Sequence, residues 1–280
     1  SIKLMTYVIA EIGNNHNGNV EKCFKIIKAA YESGADAIKI QSFRGRDIVS
    51  PNILSSEYSD WDSAGLKYWY QFLDTIALPI SEHQKAIDYA HELGLDFITT
   101  PVSPEIVDLL EGLRGIDCYK IASMDLNNLD LLESISKTNK KVILSSGMGS
   151  IEEIKEALQI LNKKDLTLLH CISDYPLDPS NANLNNIKIL SKSFNNYRIG
   201  FSDHSLGHEL SLAAVVMGAE VIEKHFTLDR NDKSPAEHHF SMEPSEFKIM
   251  VNWFNNIKVS FDKKDWSRSL NEKNLGKKIS

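Results

Sequence analysis

The segment NYRIGFSDHSLGHELSLAAVVMGAEVIEKHFT, residues 196–227, has the pattern of a strand, a helix and a second strand. The predicted strands are the apolar runs 198–202 and 221–226, and the residues between them have the apolar spacing of a helix. His204 and His225 therefore lie at the C-terminal ends of consecutive strands. If those strands are parallel neighbours, both imidazoles can face one cavity and bind a metal that keeps open coordination positions. Two histidines with structural roles are the alternative, because the spacing fits both.

The composition is that of a globular protein with a large core. The chain has 280 residues, of which 42% are apolar and 25% charged, and its formal net charge is -7. The negative charge and the absence of a long basic run disfavour binding to nucleic acid or to an anionic membrane. No apolar run approaches the roughly 20 residues that span a bilayer. Cys23, Cys118 and Cys171 form no CxxC pair, which predicts a reducing, cytoplasmic location.

Short apolar runs alternate with helical segments along the chain, and we count eight such pairs. Continuous apolar runs are typical of buried parallel strands. The alternation predicts a (β/α)8 TIM barrel over residues 1–260, followed by a polar, lysine-rich tail over residues 261–280. A doubly wound open sheet is the structural alternative. No GxGxxG motif follows the first strand, which argues against dinucleotide binding.

Polar residues follow the predicted strands at the end where barrels carry their chemistry. The set comprises Glu11, Lys39, Gln41, Thr100, Lys120, Ser123, Ser145, Ser173, Tyr175, Ser202, His204, Glu223 and His225. Two lysines inside apolar strands are notable, because an ammonium group buried without a partner is costly. Lys39 and Lys120 could form internal salt bridges with Glu11 and Glu223. They could also form an anion pocket with the hydroxyl groups, suited to a phosphate and a carboxylate. With a metal on the histidines, such a site suits a small phosphorylated acid beside a carbonyl group.

Eight segments carry a resemblance to a known family. They are AEIGNNHNG at 10–18, IKIQ at 38–41, TTP at 99–101, YKIAS at 119–123, ILSSGM at 143–148, LLHCISDYP at 168–176, GFSDHSLG at 200–207 and EKHFT at 223–227. The chain resembles the catalytic barrel of the sialic acid synthases, transferases that condense phosphoenolpyruvate with an N-acylated hexosamine. The segments fall at nearly every predicted strand end, which makes the resemblance specific.

The resemblance implies a role for each matching residue. It implies that His204 and His225 bind Mn²⁺, with Mg²⁺ or Co²⁺ as alternatives, and that Glu11 handles the attacking water. The positions that match phosphoenolpyruvate contacts are Lys39, Thr100, Lys120, Ser123, Ser145, Ser173 and Ser202. The positions that match the sugar side are Gln41, Tyr175 and Glu223, and the turn with Glu237 matches one that touches the sugar. Asp125, also expected to bind substrate, follows the KIAS strand where some members carry Glu.

Two departures from the family pattern bear on the substrate and the assembly. Family members usually have a GPDH-like turn after the eighth strand, but here residues 234–239 read SPAEHH, with Glu237 in place of Asp. The amino sugar therefore stays open among N-acetylmannosamine, its 6-phosphate and a diamino-dideoxy sugar. Most bacterial members also continue into an antifreeze-like domain that reaches the partner of a dimer. We expect no such domain in residues 1–280, and the resemblance is compatible with a homodimer.

The reaction that the resemblance implies yields a nine-carbon sialic acid-type 2-keto acid and phosphate. A synthase for legionaminic or pseudaminic acid, another metal-dependent phosphoenolpyruvate condensing enzyme and an aldolase with a Schiff-base lysine are the enzymatic alternatives. A non-catalytic sugar-binding barrel is the alternative from a different class.

Overall fold

Eight parallel strands pair in chain order, and the eighth pairs with the first, so the sheet closes into a barrel. The structure is a computed structural model that describes residues 6–57 and 65–261. The strands are β1 (Tyr7–Gly13), β2 (Ala37–Ser42), β3 (Asp96–Pro101), β4 (Cys118–Ile121), β5 (Lys141–Ser145), β6 (Leu166–Cys171), β7 (Arg198–Asp203) and β8 (Val221–His225). The TIM-barrel prediction is confirmed, and the alternative of an open sheet is wrong.

Helices follow the strands and cover the outside of the barrel. They are α1 (Val20–Glu32), α2 (Gly45–Ile48), α3 (Trp69–Ile76), α4 (Ile80–Glu92), α5 (Pro104–Glu111), α6 (Leu129–Ser136), α7 (Ile151–Leu161), α8 (Asn185–Ser193), α9 (Glu209–Val216) and α10 (Pro244–Ser260). Helix α7 begins with a capping box between Ser150 and Glu153, and Ser103 caps α5 directly before a proline. Among the described residues, no helix combines the length and the apolar character required to cross a bilayer.

The period-2 alternation of the strands separates an outer core from the barrel interior. In β1, Val8, Ala10 and Ile12 belong to the core between strands and helices, whereas Ile9 faces inward. The inward-facing residues of the lower layer are apolar: Ile9, Ala37, Ile98, Cys118, Ile143, Leu169 and Val221. Two residues further along the same strands, the interior becomes polar, with Glu11, Lys39, Thr100, Lys120, Ser145, Cys171 and Glu223. The candidate site is this upper layer.

The long connection between β2 and α4 contains α2 and α3, which the sequence did not predict. Its side chains form a separate apolar cluster around Phe43, Phe72, Leu73 and Ile76. Residues 58–64 lie outside the described part of the chain, as do residues 262–280 of the predicted tail.

Candidate active site

Two lysines and two glutamates form a chain of ion pairs inside the upper layer. Lys39 Nζ lies 2.8 Å from Glu11 Oε2 and 3.4 Å from Glu223 Oε2. Lys120 Nζ contacts both oxygens of Glu223, at 3.2 and 3.3 Å. All four side chains are buried. The salt bridges that the sequence allowed are therefore present, and Glu223 is shared between the two lysines.

Burial and pairing act against each other on these four groups. Burial would lower the pKa of Lys39, but Glu11 and Glu223 outweigh it and the pKa is raised. Burial lowers the pKa of Lys120 more than Glu223 raises it. Burial would raise the pKa of Glu223, but both lysines lower it strongly. Burial raises the pKa of Glu11 against the opposing effect of Lys39.

Hydroxyl groups surround the ion pairs and differ in what they already bind. The Lys39 ammonium donates to Thr100 Oγ1 at 3.4 Å, and Ser202 Oγ donates to Glu223 Oε1 at 2.7 Å. Ser123 Oγ and Ser145 Oγ are buried and have no hydrogen-bond partner among the described residues. Unsatisfied buried hydroxyls require an explanation, and a bound polar ligand is one.

His204 has an available nitrogen that faces the site. Its Nδ1 lies 2.7 Å from the Ile172 carbonyl oxygen, which can only accept, so Nδ1 carries a proton. Its Nε2 lies 3.2 Å from Ser202 Oγ, but the hydroxyl proton of Ser202 already goes to Glu223. The Nε2 lone pair therefore accepts no strong hydrogen bond and is available to a ligand. A carbonyl that fixes the tautomer of a histidine is a common feature of metal ligands.

His225 lies between His204 and two carboxylates. The ring centroids of the two histidines are 5.3 Å apart. Glu11, His225 and Glu237 each place a ligand atom so that the three atoms lie within 4.8 Å of one another. His204 does not belong to this tighter cluster. Imidazole nitrogens and carboxylate oxygens suit a divalent cation such as Mn²⁺, so the residues present fit a metal.

The remaining predicted residues form the rim. Gln41 accepts from Asn14 Nδ2 at 3.1 Å, and Asp125 accepts from Asn128 Nδ2 at 3.0 Å. Tyr175 stacks on His204 with 4.2 Å between ring centroids. Ser173 is exposed on the loop after β6, two residues before Tyr175.

The sequence reasoning missed three residues at the site. Asn15 donates to the Phe226 carbonyl oxygen at 2.9 Å and accepts from the Glu237 backbone N–H at 3.0 Å. These bonds connect the loop after β1 with the residues that follow β8. Phe240 packs on His225 with 4.8 Å between centroids. Cys171 Sγ lies 4.0 Å from His204 Nε2. A count of inward positions along β6 would have identified Cys171.

Known proteins are similar to this chain in sequence, and a solved structure is similar to it in fold. An uncharacterised protein of Methanocaldococcus jannaschii is 43% identical over 88% of this chain and 69% of its own length. The N,N'-diacetyllegionaminic acid synthase of Campylobacter jejuni is 40% identical over 88% of this chain and 74% of its own. The crystal structure of an N-acetylneuraminic acid synthetase from Leptospira borgpetersenii is 30% identical, with a TM-score of 0.83, over 97% of this chain and 90% of that one. The model of the NeuB family matches residues 26–265. Two of these similar proteins are named as sugar acid synthases. The chain therefore belongs to the NeuB family.

Proposed function

We propose that this chain condenses phosphoenolpyruvate with the open-chain aldehyde of an N-acyl amino sugar. The products are a nine-carbon 2-keto sugar acid and inorganic phosphate. The observation that carries the proposal is one buried polar layer that combines two lysines, two unpaired serine hydroxyls and a histidine pair at the C-terminal end of the barrel. An anion pocket beside a metal-binding pair suits a phosphorylated acid next to a carbonyl group.

The lysines and hydroxyls bind and orient phosphoenolpyruvate in this proposal. Lys120, Ser123 and Ser145 contact its phosphate and carboxylate groups, together with Lys39, Thr100, Ser173 and Ser202 at the edges of the pocket. Their task is positioning, because the new bond joins C3 of phosphoenolpyruvate to the aldehyde carbon. A fixed approach of those two carbons removes much of the entropic cost of the reaction.

His204 and His225 would hold a divalent cation, with Mn²⁺ as the preferred ion and Mg²⁺ or Co²⁺ as alternatives. When bound there, a cation supplies Lewis-acid polarisation of the sugar carbonyl group. Tyr175 stacks on His204, and Phe240 packs against Tyr175, so the aromatic side chains keep the His204 ring in place.

Glu11 takes the proton of the water that completes the reaction. As C3 attacks the aldehyde, C2 of phosphoenolpyruvate becomes electron-poor and water adds to it. Glu11 accepts a proton from that water, and the C–O bond to phosphate then breaks to leave the 2-keto group. The support is positional: Glu11 is buried in β1, next to His225 in the strand register, and its Oε1 atom has no hydrogen-bond partner among the described residues.

The sugar lies toward the rim, near Gln41, Asp125, Tyr175, Glu223 and Glu237. Similar proteins are named for legionaminic acid and for N-acetylneuraminic acid, so the amino sugar stays open between these classes. The test is a phosphate-release screen with phosphoenolpyruvate, Mn²⁺ and a panel of sugars. The panel contains N-acetylmannosamine, its 6-phosphate and diacetamido-dideoxy sugars, with blanks that omit the sugar or the metal. Sugar-dependent phosphate release supports the proposal, and its absence across the panel contradicts it.

A Schiff-base aldolase is the second candidate, and one observation favours it. Burial lowers the pKa of Lys120, which increases the fraction of neutral, nucleophilic amine. Borohydride reduction in the presence of pyruvate would trap the imine as a stable adduct. A mass increase on Lys120 would support the aldolase, whereas an unmodified protein with sugar-dependent phosphate release would favour the synthase.

A further inference from the structure

Three of the buried polar atoms that have no hydrogen-bond partner among the described residues converge at the β1–β8 side of the site. They are Glu11 Oε1, His225 Nδ1 and Glu237 Oε2. Glu237 Oε2 lies 3.1 Å from His225 Nδ1, but without the geometry of a hydrogen bond. The three residues place their ligand atoms within 4.8 Å of one another. Buried polar atoms are rarely left unpaired, so this convergence indicates a bound group.

Gly13 provides the space in which the two carboxylates converge. Its φ is +53°, and a Cβ atom at this position would lie 2.6 Å from Glu237 Oε2 and 3.2 Å from Glu11 Oε1. The two oxygens therefore point to the same side of Gly13, where a side chain does not fit. Two carboxylates this close repel each other unless a cation or a proton lies between them.

The two carboxylates differ in the partners that they already have. Glu11 Oε2 is paired with Lys39 at 2.8 Å. Glu237 has no lysine or arginine within ion-pair distance in the described ranges 6–57 and 65–261, and its one ionic partner there is His225. We propose that Glu237 is a third protein ligand of the divalent cation, beside His204 and His225. The inference rests on the proposed function, because the metal belongs to that proposal.

Two hydrogen bonds of its backbone hold Glu237 in this place. Its backbone N–H donates to Asn15 Oδ1 at 3.0 Å, and its carbonyl oxygen accepts from Ser241 Oγ at 2.5 Å. Asn15 also donates to the Phe226 carbonyl oxygen at the end of β8. The turn is therefore connected by hydrogen bonds to the segments that directly follow β1 and β8, and these contacts position the carboxylate at the site. Pre-positioned ligands of this kind increase metal affinity.

The donor set that results is two imidazoles and one carboxylate, which leaves coordination positions open for water and a substrate oxygen. The carboxylate neutralises part of the charge of the cation and adds a hard oxygen donor, which suits Mn²⁺ and Mg²⁺. The competing explanation is that Glu237 only orients His225 and never contacts the metal. That role would make Glu237 a positioning residue.

The test measures Mn²⁺ binding by the chelator-stripped full chain, without any turnover. Free Mn²⁺ is followed by electron paramagnetic resonance, and water proton relaxation counts the exchangeable waters on bound Mn²⁺. The variants are Glu237→Gln, which keeps the side-chain size, Glu237→Asp, and the exposed Glu156→Gln on α7 as a matched control. Thermal melting establishes that each variant is folded, and Glu237→Asp is used if Glu237→Gln does not fold.

We expect Glu237→Gln to weaken Mn²⁺ binding by at least about tenfold and to add an exchangeable water to bound Mn²⁺, since a removed ligand leaves a vacant position. Glu156→Gln should match the unmodified chain. Affinity within twofold of the unmodified chain would overturn the inference, and so would a weaker affinity with an unchanged water count. A Glu11→Gln variant that loses affinity while Glu237→Gln does not would also overturn it.

The outcomes for the inference and for the proposed function are separable. If Mn²⁺ binding depends on Glu237 but no sugar releases phosphate, the metal ligand stands and the proposed function falls. If phosphate is released but Mn²⁺ binding does not depend on Glu237, the proposed function stands and Glu237 is not a metal ligand.

Discussion

Glu11→Gln separates the structural role of Glu11 from its proposed role as the base. Glutamine keeps the size of the side chain and an oxygen acceptor, but it cannot accept the proton of the attacking water. If Glu11 acts as the base, kcat should fall by about 10²- to 10⁴-fold. At about 1.4 kcal/mol per decade, this corresponds to roughly 3–6 kcal/mol of barrier.

The cost in stability can be estimated from the contacts of Lys39. The substitution removes one charged partner at 2.8 Å, but Lys39 keeps Glu223 at 3.4 Å and the Thr100 hydroxyl at 3.4 Å. The loss should therefore be that of one charge-assisted hydrogen bond, about 1.5–3 kcal/mol, rather than the larger cost of an unpaired buried charge. At about 2–4 °C per kcal/mol, Tm should fall by no more than roughly 12 °C.

Three measurements on the same preparation test this expectation: thermal melting, phosphoenolpyruvate titration and steady-state phosphate release. We expect a folded variant that binds phosphoenolpyruvate and is nearly inactive. Glu223→Gln is the matched control, because Glu223 is shared by both lysines and its loss should mainly weaken stability and binding. A large fall in Tm with near-normal kcat in the folded fraction would refute the assignment of Glu11 as base.

Three further predictions concern the metal, the anion pocket around Lys120 and the buried His83. Chelation should abolish phosphate release, and Mn²⁺ or Co²⁺ should restore it; full turnover by metal-free protein in chelator would contradict the metal assignment. Lys120→Met should weaken phosphoenolpyruvate binding by about one to two orders of magnitude, because a charged contact is worth about 1.5–3 kcal/mol. An unchanged Kd would show that Lys120 does not contact phosphoenolpyruvate. His83 is buried, and burial lowers its pKa to about 4 in the folded protein. In the unfolded chain its pKa is near 6.5, so below that pH the unfolded state binds more protons than the folded state. The free energy of unfolding should thus decrease by up to about 3 kcal/mol between pH 6.5 and pH 4, and denaturant titrations should show this slope flattened in His83→Gln.

The barrel and its polar layer could be predicted from the sequence because both follow from short-range patterns. Period-2 alternation places Glu11 above Ile9 and Lys120 above Cys118, and the structure confirms both placements. The partners of the lysines could not be assigned in the same way. In the register of β1 and β8, Glu11 lies opposite His225 and Glu223 lies opposite Ile9, and only the closed barrel shows that Glu223 bridges both lysines.

The position of Glu237 could not be obtained from local sequence, because contacts distant in the chain determine it. The turn that contains it is fixed by Asn15, 222 positions earlier, whose side-chain oxygen accepts a hydrogen bond from the Glu237 backbone N–H. Helices α2 and α3 were missed for a related reason. Their apolar faces pack into a cluster of their own around Phe43 and Phe72, separate from the main core whose periodicity the sequence shows clearly.

The two ends of the ion-pair chain offer different chemistry, and a count of donors shows how. An ammonium group has three N–H donors. Lys39 is within contact distance of three acceptors, on Glu11, Glu223 and Thr100, so a ligand at the edge of the pocket would have to share or displace one of them. Lys120 contacts only the two carboxylate oxygens of Glu223 among the acceptors of the described chain, which leaves one donor free.

Anion binding should therefore be centred on Lys120, on the side of the barrel where the Ser123 and Ser145 hydroxyls also lack partners. The opposite side, at β1 and β8, presents the convergent acceptors Glu11, His225 and Glu237, which suit a cation. Glu223 and Lys39 lie between the two and keep the charges apart. A phosphorylated acid at one side and a carbonyl oxygen at the other would then meet above this ion pair. The proposed condensation requires two substrates that are held side by side in this way.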